Sequence, residues 1–260
     1  MGKKIFVLFL CFVMGVSGCA TRPTDPEELR IYEETNDPFE PTNRGIHAFN
    51  QAADKAVLKP IAKGYRAVVP QFFRTSISNF FSTLRQPMHF VNALLQGQIK
   101  DAGWILGRTA TNLTFGFFGL FDVATEAGIP NPANDFGQTL AKWGWDGDGG
   151  PFVMLPFLGP SSVRDGIGTG VDAMGNPLGW ALWNEAELHY GMLAVDGVNT
   201  REQALDLLDD LEKSSTDYYA TLRSMSRQNR RKKINAVTNN QESTEKPDYE
   251  ADFSDIEWED

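Results

Sequence analysis

Cysteine is nearly absent from this chain: 260 residues contain two, Cys11 and Cys19. Structural zinc sites need closely spaced cysteines or histidines, and the three histidines, His47, His89 and His189, are scattered. A disulfide framework would need more cysteine as well. There is no G-x-x-x-x-G-K-[ST] loop to cradle a nucleotide phosphate. There is no run of the roughly 20 apolar residues that a membrane-spanning helix requires; Arg108, Asp122, Glu126, Arg164 and Asp165 interrupt every candidate. Gly159-Pro160-Ser161-Ser162-Val163 lacks the second glycine of a G-x-S-x-G nucleophile elbow, and Ser161 reads better as a helix N-cap. Asp146-Gly147-Asp148 lacks the other ligands of an EF-hand and reads as a turn. No catalytic residue, cofactor or metal ligand is assigned.

The N-terminus is informative. Met1-Gly2-Lys3-Lys4 is a short basic start, and Ile5 to Val16 is apolar apart from Gly15. This is a signal peptide over residues 1–18 and takes no part in the fold. Val16-Ser17-Gly18-Cys19 resembles a bacterial lipobox. That resemblance implies cleavage before Cys19, a diacylglycerol on its thiol and an acyl chain on the new amine. The mature chain then keeps no free thiol, which suits an oxidising compartment. One acyl chain anchors marginally, whereas two or more hold stably. Ala20, rather than aspartate, follows the cysteine; by the sorting rule of enteric-type lipoproteins this resembles an outer-membrane address on the periplasmic side.

Charge is uneven. The formal charge is −10, and from Asn239 to Asp260 nine acids stand against one lysine, Lys246. The acidity is therefore mostly that of a tail whose polar composition reads as disordered. Before it, Arg223 to Lys233 holds six basic residues and no acid. An exported protein has no use for a nucleic-acid patch, so this segment is either a solvated helix end or a contact for anionic groups. The domain reading is a lipidated tether over 19–36, one helical domain over 37–227, and a basic then acidic disordered tail over 228–260.

Between the ends the pattern is helical. Ile46, Phe49, Ala53, Ala56 and Val57 recur at helical spacing, and Pro60 is expected to kink or end that helix. Pro70 and Pro87 are each expected to open a further helix, Asp101 to Asn112 forms another, and Thr200-Arg201-Glu202-Gln203 reads as a capping box. The turn residues Asp146 to Gly150 predict a short hairpin within Trp143 to Leu155. The middle third differs in kind: 17 of the 24 glycines lie between Gly97 and Gly179. Long apolar side chains, many glycines and few charges suit helices packed closely inside lipid; the buried core of an ordinary water-soluble α protein is the alternative. Phe115, Phe117, Phe118 and Phe121 are apolar most of the way round a helix, so they are candidates to face acyl chains. Asn112, Asp122, Arg164 and Asp165 are candidate channel or headgroup contacts, because charge beside lipid is functional by default; for Arg164-Asp165 an intramolecular pair that closes the fold is the equal alternative.

Several blocks in one order resemble the MlaA (VacJ) family of outer-membrane lipoproteins. They are Asn36-Asp37-Pro38-Phe39-Glu40-Pro41-Thr42-Asn43-Arg44, Leu58-Lys59-Pro60-Ile61-Ala62-Lys63-Gly64-Tyr65, Ser78-Asn79-Phe80-Phe81, Asn92-Ala93-Leu94-Leu95-Gln96-Gly97, Gly119-Leu120-Phe121-Asp122-Val123-Ala124, Asp135-Phe136-Gly137-Gln138-Thr139-Leu140 and Leu155-Pro156-Phe157-Leu158-Gly159-Pro160-Ser161-Ser162-Val163-Arg164-Asp165. The resemblance implies an all-α, ring-shaped domain in one leaflet of the outer membrane, beside a trimeric porin. It implies a non-enzymatic channel for mislocalised outer-leaflet phospholipids, which a periplasmic carrier, MlaC, then collects, so that lipid asymmetry is maintained. A passive structural lipoprotein, and more distantly a phospholipase, are the other classes the residues leave open.

Overall fold

The computed structural model describes residues 20, 22–145, 147–182 and 184–238. The signal peptide, Cys19 and the acidic tail lie outside these. Helix α1 (Pro26–Thr35) opens on Asp25, whose side chain accepts from the backbone N–H of Glu27 and Glu28, the usual relief for unpaired first-turn donors. It occupies much of the segment read as a tether, and the Ala20 N–H donates to the Pro38 carbonyl at 2.8 Å. The residue after Cys19 is therefore tied to the start of the next helix.

Helix α2 (Glu40–Ala53) does not end at Pro60. One π-helical turn, Asp54–Leu58, leads directly into α3 (Lys59–Val68), with Pro60 in its first turn. The proline needs no N–H there, and the wider turn accommodates its ring. Pro70 is the cap residue before α4 (Gln71–Leu95), one position earlier than expected. Pro87 starts nothing: α4 runs through it for 25 residues. A proline inside a helix costs about 3 kcal/mol; the packing of α4 along α5 (Ile99–Thr114) offsets it.

The loop 115–122 follows, then α6 (Val123–Glu126) and α7 (Phe136–Lys142), the latter opened by an Asp135/Gln138 capping box. The hairpin exists but lies further on. Strand β1 (Phe152–Leu155) pairs antiparallel with β2 (Gly159–Ser162), in register from Phe152 opposite Ser162 to Leu155 opposite Gly159. The glycine-rich stretch before it is a loop, because its residues are drawn onto Arg164. Ser162, not Ser161, caps α8 (Val163–Gly175). Helices α9 (Pro177–Ala181) and α10 (Ala186–Gln203) follow. The expected capping box at Thr200 is inside α10: its fourth residue, Gln203, donates its side-chain amide to the Ser78 hydroxyl of α4 rather than back to Thr200. The leucine-bearing segment beyond it forms two helices, α11 (Leu205–Ser214) and α12 (Tyr218–Thr238). Residues 228–238, read as tail, are thus helical.

The helices touch in a closed circuit: α3 on α10, α10 on α4, α4 on α7, α7 on α12, α12 on α11, and α11 back on α3. The fold is helical, with the one small hairpin beside this circuit, as a ring requires. Among the described residues no helix is long and apolar enough to cross a membrane.

Polarity is inverted relative to a water-soluble bundle. Among the described residues thirteen hydrophobic ones are buried against sixteen polar or charged ones, while Phe72, Phe73, Phe115, Phe117, Phe118 and Phe157 stand exposed. Two small apolar clusters form around Ala93, Ala102 and Ile105 and around Phe152, Met154 and Tyr219. Ion pairs do the remaining joining. Glu202 of α10 accepts from Arg66 of α3 at 2.7 Å and from Arg74 of α4. The basic row of α12 is not a solvated helix end: Arg223 reaches Asp37 at 2.7 Å, Arg227 and Arg231 share Asp148, and Arg230 takes Asp135 and Asp165.

Removing one member of a buried pair leaves the other charge uncompensated, at about 3–5 kcal/mol. Glu202→Ala is expected to fall in this range by denaturant unfolding in detergent, whereas Asp210→Ala, on an exposed pair with Lys213, changes stability by under about 0.5 kcal/mol. Acid should unfold the protein in two stages. Burial lowers the pKa of His89 from 6.5, so its contribution is full above that value and declines as pH falls below it. The Arg44 guanidinium, bonded to Asp217, holds that carboxyl down to about 2 against an ordinary 3.8. Its stabilisation is present above 3.8 and is lost as pH falls through about 2. A melting temperature followed against pH shows both declines, and His89→Gln removes only the first.

Candidate functional site

The phenylalanine loop is built from its flanks. Helix α5 places Arg108 and Asn112 four residues apart, hence on one face. Arg108, 2% exposed, donates to the Ile129 carbonyl at 2.7 Å, to Asp122 at 2.5 Å and to the Thr125 hydroxyl at 2.9 Å. Asn112 donates to the other Asp122 oxygen at 2.9 Å and accepts from the Ala124 N–H at 2.9 Å. Burial would raise the Asp122 pKa, but the bonds from Thr125 and Asn112 and the Arg108 charge hold it below its ordinary value. Asp122, ionised and bonded through both oxygens, therefore ties the end of the loop back to Arg108 and Asn112 of α5.

Between these ends the backbone is strained. Phe117 and Phe118 have φ of 50° and 58°, a region that bulky residues rarely adopt. Each such residue costs about 1–3 kcal/mol unless its surroundings impose it. Here they do. Gly119 donates to the Asn112 carbonyl at 2.9 Å, Phe121 to Gly116 at 2.9 Å, and Asn79 of α4 to Leu120 at 3.3 Å. A side chain at Gly119 would meet Thr83 Oγ1 at 2.6 Å, and one at Gly116 would strike the Phe121 carbonyl. The result is a tip with Phe115, Phe117 and Phe118 exposed by 75%, 65% and 69%. Phe121 is less exposed and its ring leans on Phe72, 5.9 Å away. The strain of two left-handed phenylalanines is comparable to the roughly 1.5–3 kcal/mol gained by removing each such ring from water. An aqueous tip would carry both costs.

Arg164 and Asp165 form a second constellation, apart from the loop. Arg164 is fully buried and directs its donors inside: to Asp165 at 3.1 Å and to the Trp145 and Gly147 carbonyls at 2.9 and 3.0 Å. Asp165 also accepts from the Ser162 hydroxyl and from Arg230. Each of the four candidate contact residues, Asn112, Asp122, Arg164 and Asp165, finds its partners within the chain. The pattern that missed Arg108 contained a usable signal, its spacing from Asn112; Asn79 stood in a family block with no role assigned, and nothing local marked Thr83.

The family model described as MlaA lipoprotein matches residues 35–233. The chain belongs to the MlaA lipoprotein family. It is 34% identical over 213 residues to the intermembrane phospholipid transport system lipoprotein MlaA of Escherichia coli K12, covering 79% of each chain. The protein of that name from Haemophilus influenzae is 30% identical over 248 residues, covering 90% of this chain and 92% of the relative. A solved structure from work on the structural basis for maintenance of bacterial outer membrane lipid asymmetry aligns with a TM-score of 0.65 at 35% identity, over 76% of this chain and 99% of the other. The family span stops short of Thr238, within α12, and it includes both the clamped loop and the Arg164 cluster.

A nitroxide label carried by Phe118→Cys in the membrane-reconstituted protein is expected to be relaxed by lipid-soluble oxygen and shielded from a water-soluble nickel chelate. Equal access of the chelate at position 118 and on a label in α1 would mean that the tip faces water.

Proposed function

We propose that this protein is an outer-membrane lipoprotein, anchored through lipid on Cys19, that lets mislocalised phospholipids leave the outer leaflet and passes them to a periplasmic carrier. The observation that carries this reading is the rigid phenylalanine tip on a fold whose polar groups face inward. Such a body sits in a leaflet with its apolar side in acyl chains and its polar side toward the ring. A phospholipid headgroup that crosses hydrocarbon loses its hydration at several kcal/mol or more, and a polar wall lowers that barrier. The relatives' names, with their intermembrane phospholipid transport, support the same reading.

In this reading the Arg108–Asp122 and Arg164–Asp165 pairs hold the wall's shape, rather than taking the headgroup themselves. A trimeric porin is the neighbour and an MlaC-type carrier the acceptor. The protein transports without catalysis: Ser161 lies in β2 with its hydroxyl directed to the Ser162 carbonyl at 3.3 Å, and His89 is engaged with the Asn134 carbonyl at 2.7 Å.

Cells lacking the protein are expected to show increased surface phospholipid, measured on intact cells. Wild type restores the low level and Cys19→Ala does not. No increase on deletion would favour a structural lipoprotein, and an increase with loss of lysophospholipid would favour a phospholipase.

A further inference from the structure

Helices α4 and α10 are joined by polar ties: Arg74 to Glu202, Asn199 to Ser78 at 3.3 Å, and Arg85 to Asp196 at 2.5 Å. N-terminal of Asp196 the chemistry changes. There Leu188, Met192 and Val195 of α10 face Ile77 and Phe81 of α4 across an open cleft of about 390 Å³, with Leu120 as a further wall. The lining is hydrocarbon, and an open apolar cleft left to water forfeits the stabilisation that its surface would gain on burial.

We propose that this cleft holds one acyl chain of a membrane phospholipid, with the lipid phosphate at Arg85. The inference rests on the transport reading and adds a place where the lipid is held. Three observations select this occupant. Leu120 belongs to the phenylalanine loop, so the cleft is continuous with the tip that the reading seats in acyl chains. Arg85 lies one helical turn beyond Phe81, and its partner Asp196 directly follows Val195, so a half-exposed guanidinium stands at the rim. Arginine is suited to that position, because its stem lies along apolar surface and its head binds phosphate. The lining offers no polar side chain to meet the N–H and C=O groups of an extended polypeptide, which argues against that occupant.

The cleft also contains a built-in probe. Gly191 lies on its α10 side, and a side chain added there meets nothing within 4 Å. Gly191→Phe therefore fills the cleft without a backbone clash, and replacing an interior helical glycine favours the helix. The experiment uses the full, lipidated protein in intact cells, with a photoreactive side chain at Leu188 or, as the reference for general membrane contact, at Phe118. After irradiation the mass of the adduct is read. A phospholipid adduct is expected at both positions. Gly191→Phe is expected to lower the adduct at Leu188 at least fivefold and to leave that at Phe118 unchanged. Val195→Trp serves as a second filling variant, with the folded state checked by circular dichroism. Arg85→Gln is expected to lower the Leu188 adduct, whereas Asp196→Asn, which frees Arg85, raises it; a purely structural ion pair would make the two variants behave alike.

A polypeptide adduct at Leu188 would assign the cleft to a protein partner and overturn the proposal. So would a phospholipid adduct that neither filling variant reduces, since that reports bulk membrane only. These outcomes are separable from the transport reading, which fails on its own if deletion leaves surface phospholipid unchanged.

Discussion

A guanidinium removed from water must be met by carboxylate and carbonyl oxygens, and most of this fold follows from satisfying that demand. Arg108 and Arg164 are among the largest fully buried side chains. Buried ion pairs rarely add stability over a hydrophobic replacement, but they penalise any arrangement that separates them. In this chain that penalty replaces a large apolar core. Arg230 illustrates the balance: burial alone would make its charge less favourable, yet Asp135 and Asp165 hold its pKa above the ordinary value. The α12 arginines thereby bind the start of α2, the loop before β1 and the starts of α7 and α8 into one closed circuit.

The same scarcity of buried apolar residues explains the exterior. Phenylalanine, tryptophan and leucine side chains that a water-soluble bundle would place inside are available at the surface. At the 115–122 loop they are more than available, since the Arg108–Asp122 clamp and the close passage of Gly119 past Thr83 impose a strained backbone that presents them. A flexible apolar loop would fold back onto the nearest greasy patch. Holding the rings outward by rigid polar contacts prevents this, and it keeps Leu120 in place as a wall of the α4–α10 cleft.

What was legible in the sequence was whatever depends on neighbours along the chain. The α5 helix and the outward apolar character of Phe115 to Phe118 are local properties, and the family blocks pointed to the helical class. Long-range capture decided the rest. Pro87 reads as a start because its missing N–H is a local cost, but α4 gains more by continuing along α5. Thr200 to Gln203 has the letters of a capping box, yet the Gln203 side chain donates to Ser78, 125 residues away, and Glu202 beside it is held by Arg66 and Arg74. The residues Asp146 to Gly150 have turn chemistry, but Arg164 draws the Gly147 carbonyl and the hairpin forms later. Each miss exchanged a local preference for a partner distant in sequence.

Inverted polarity also bears on how such a protein reaches its working state. In water the exposed rings would favour association between copies, since exposed apolar patches of this kind are aggregation-prone. The ion-pair frame does not depend on lipid, so it can fix the ring's outline first; in the proposed reading, burial of the rings in acyl chains then completes the stabilisation. An anchor at Cys19 would place that second step beside a bilayer, and Ala20 is already tied to Pro38 at the start of α2. The polar frame and the apolar exterior thus have separate roles. In the proposed reading the frame defines the opening through which a headgroup passes, and the exterior holds that opening at the depth of the acyl chains.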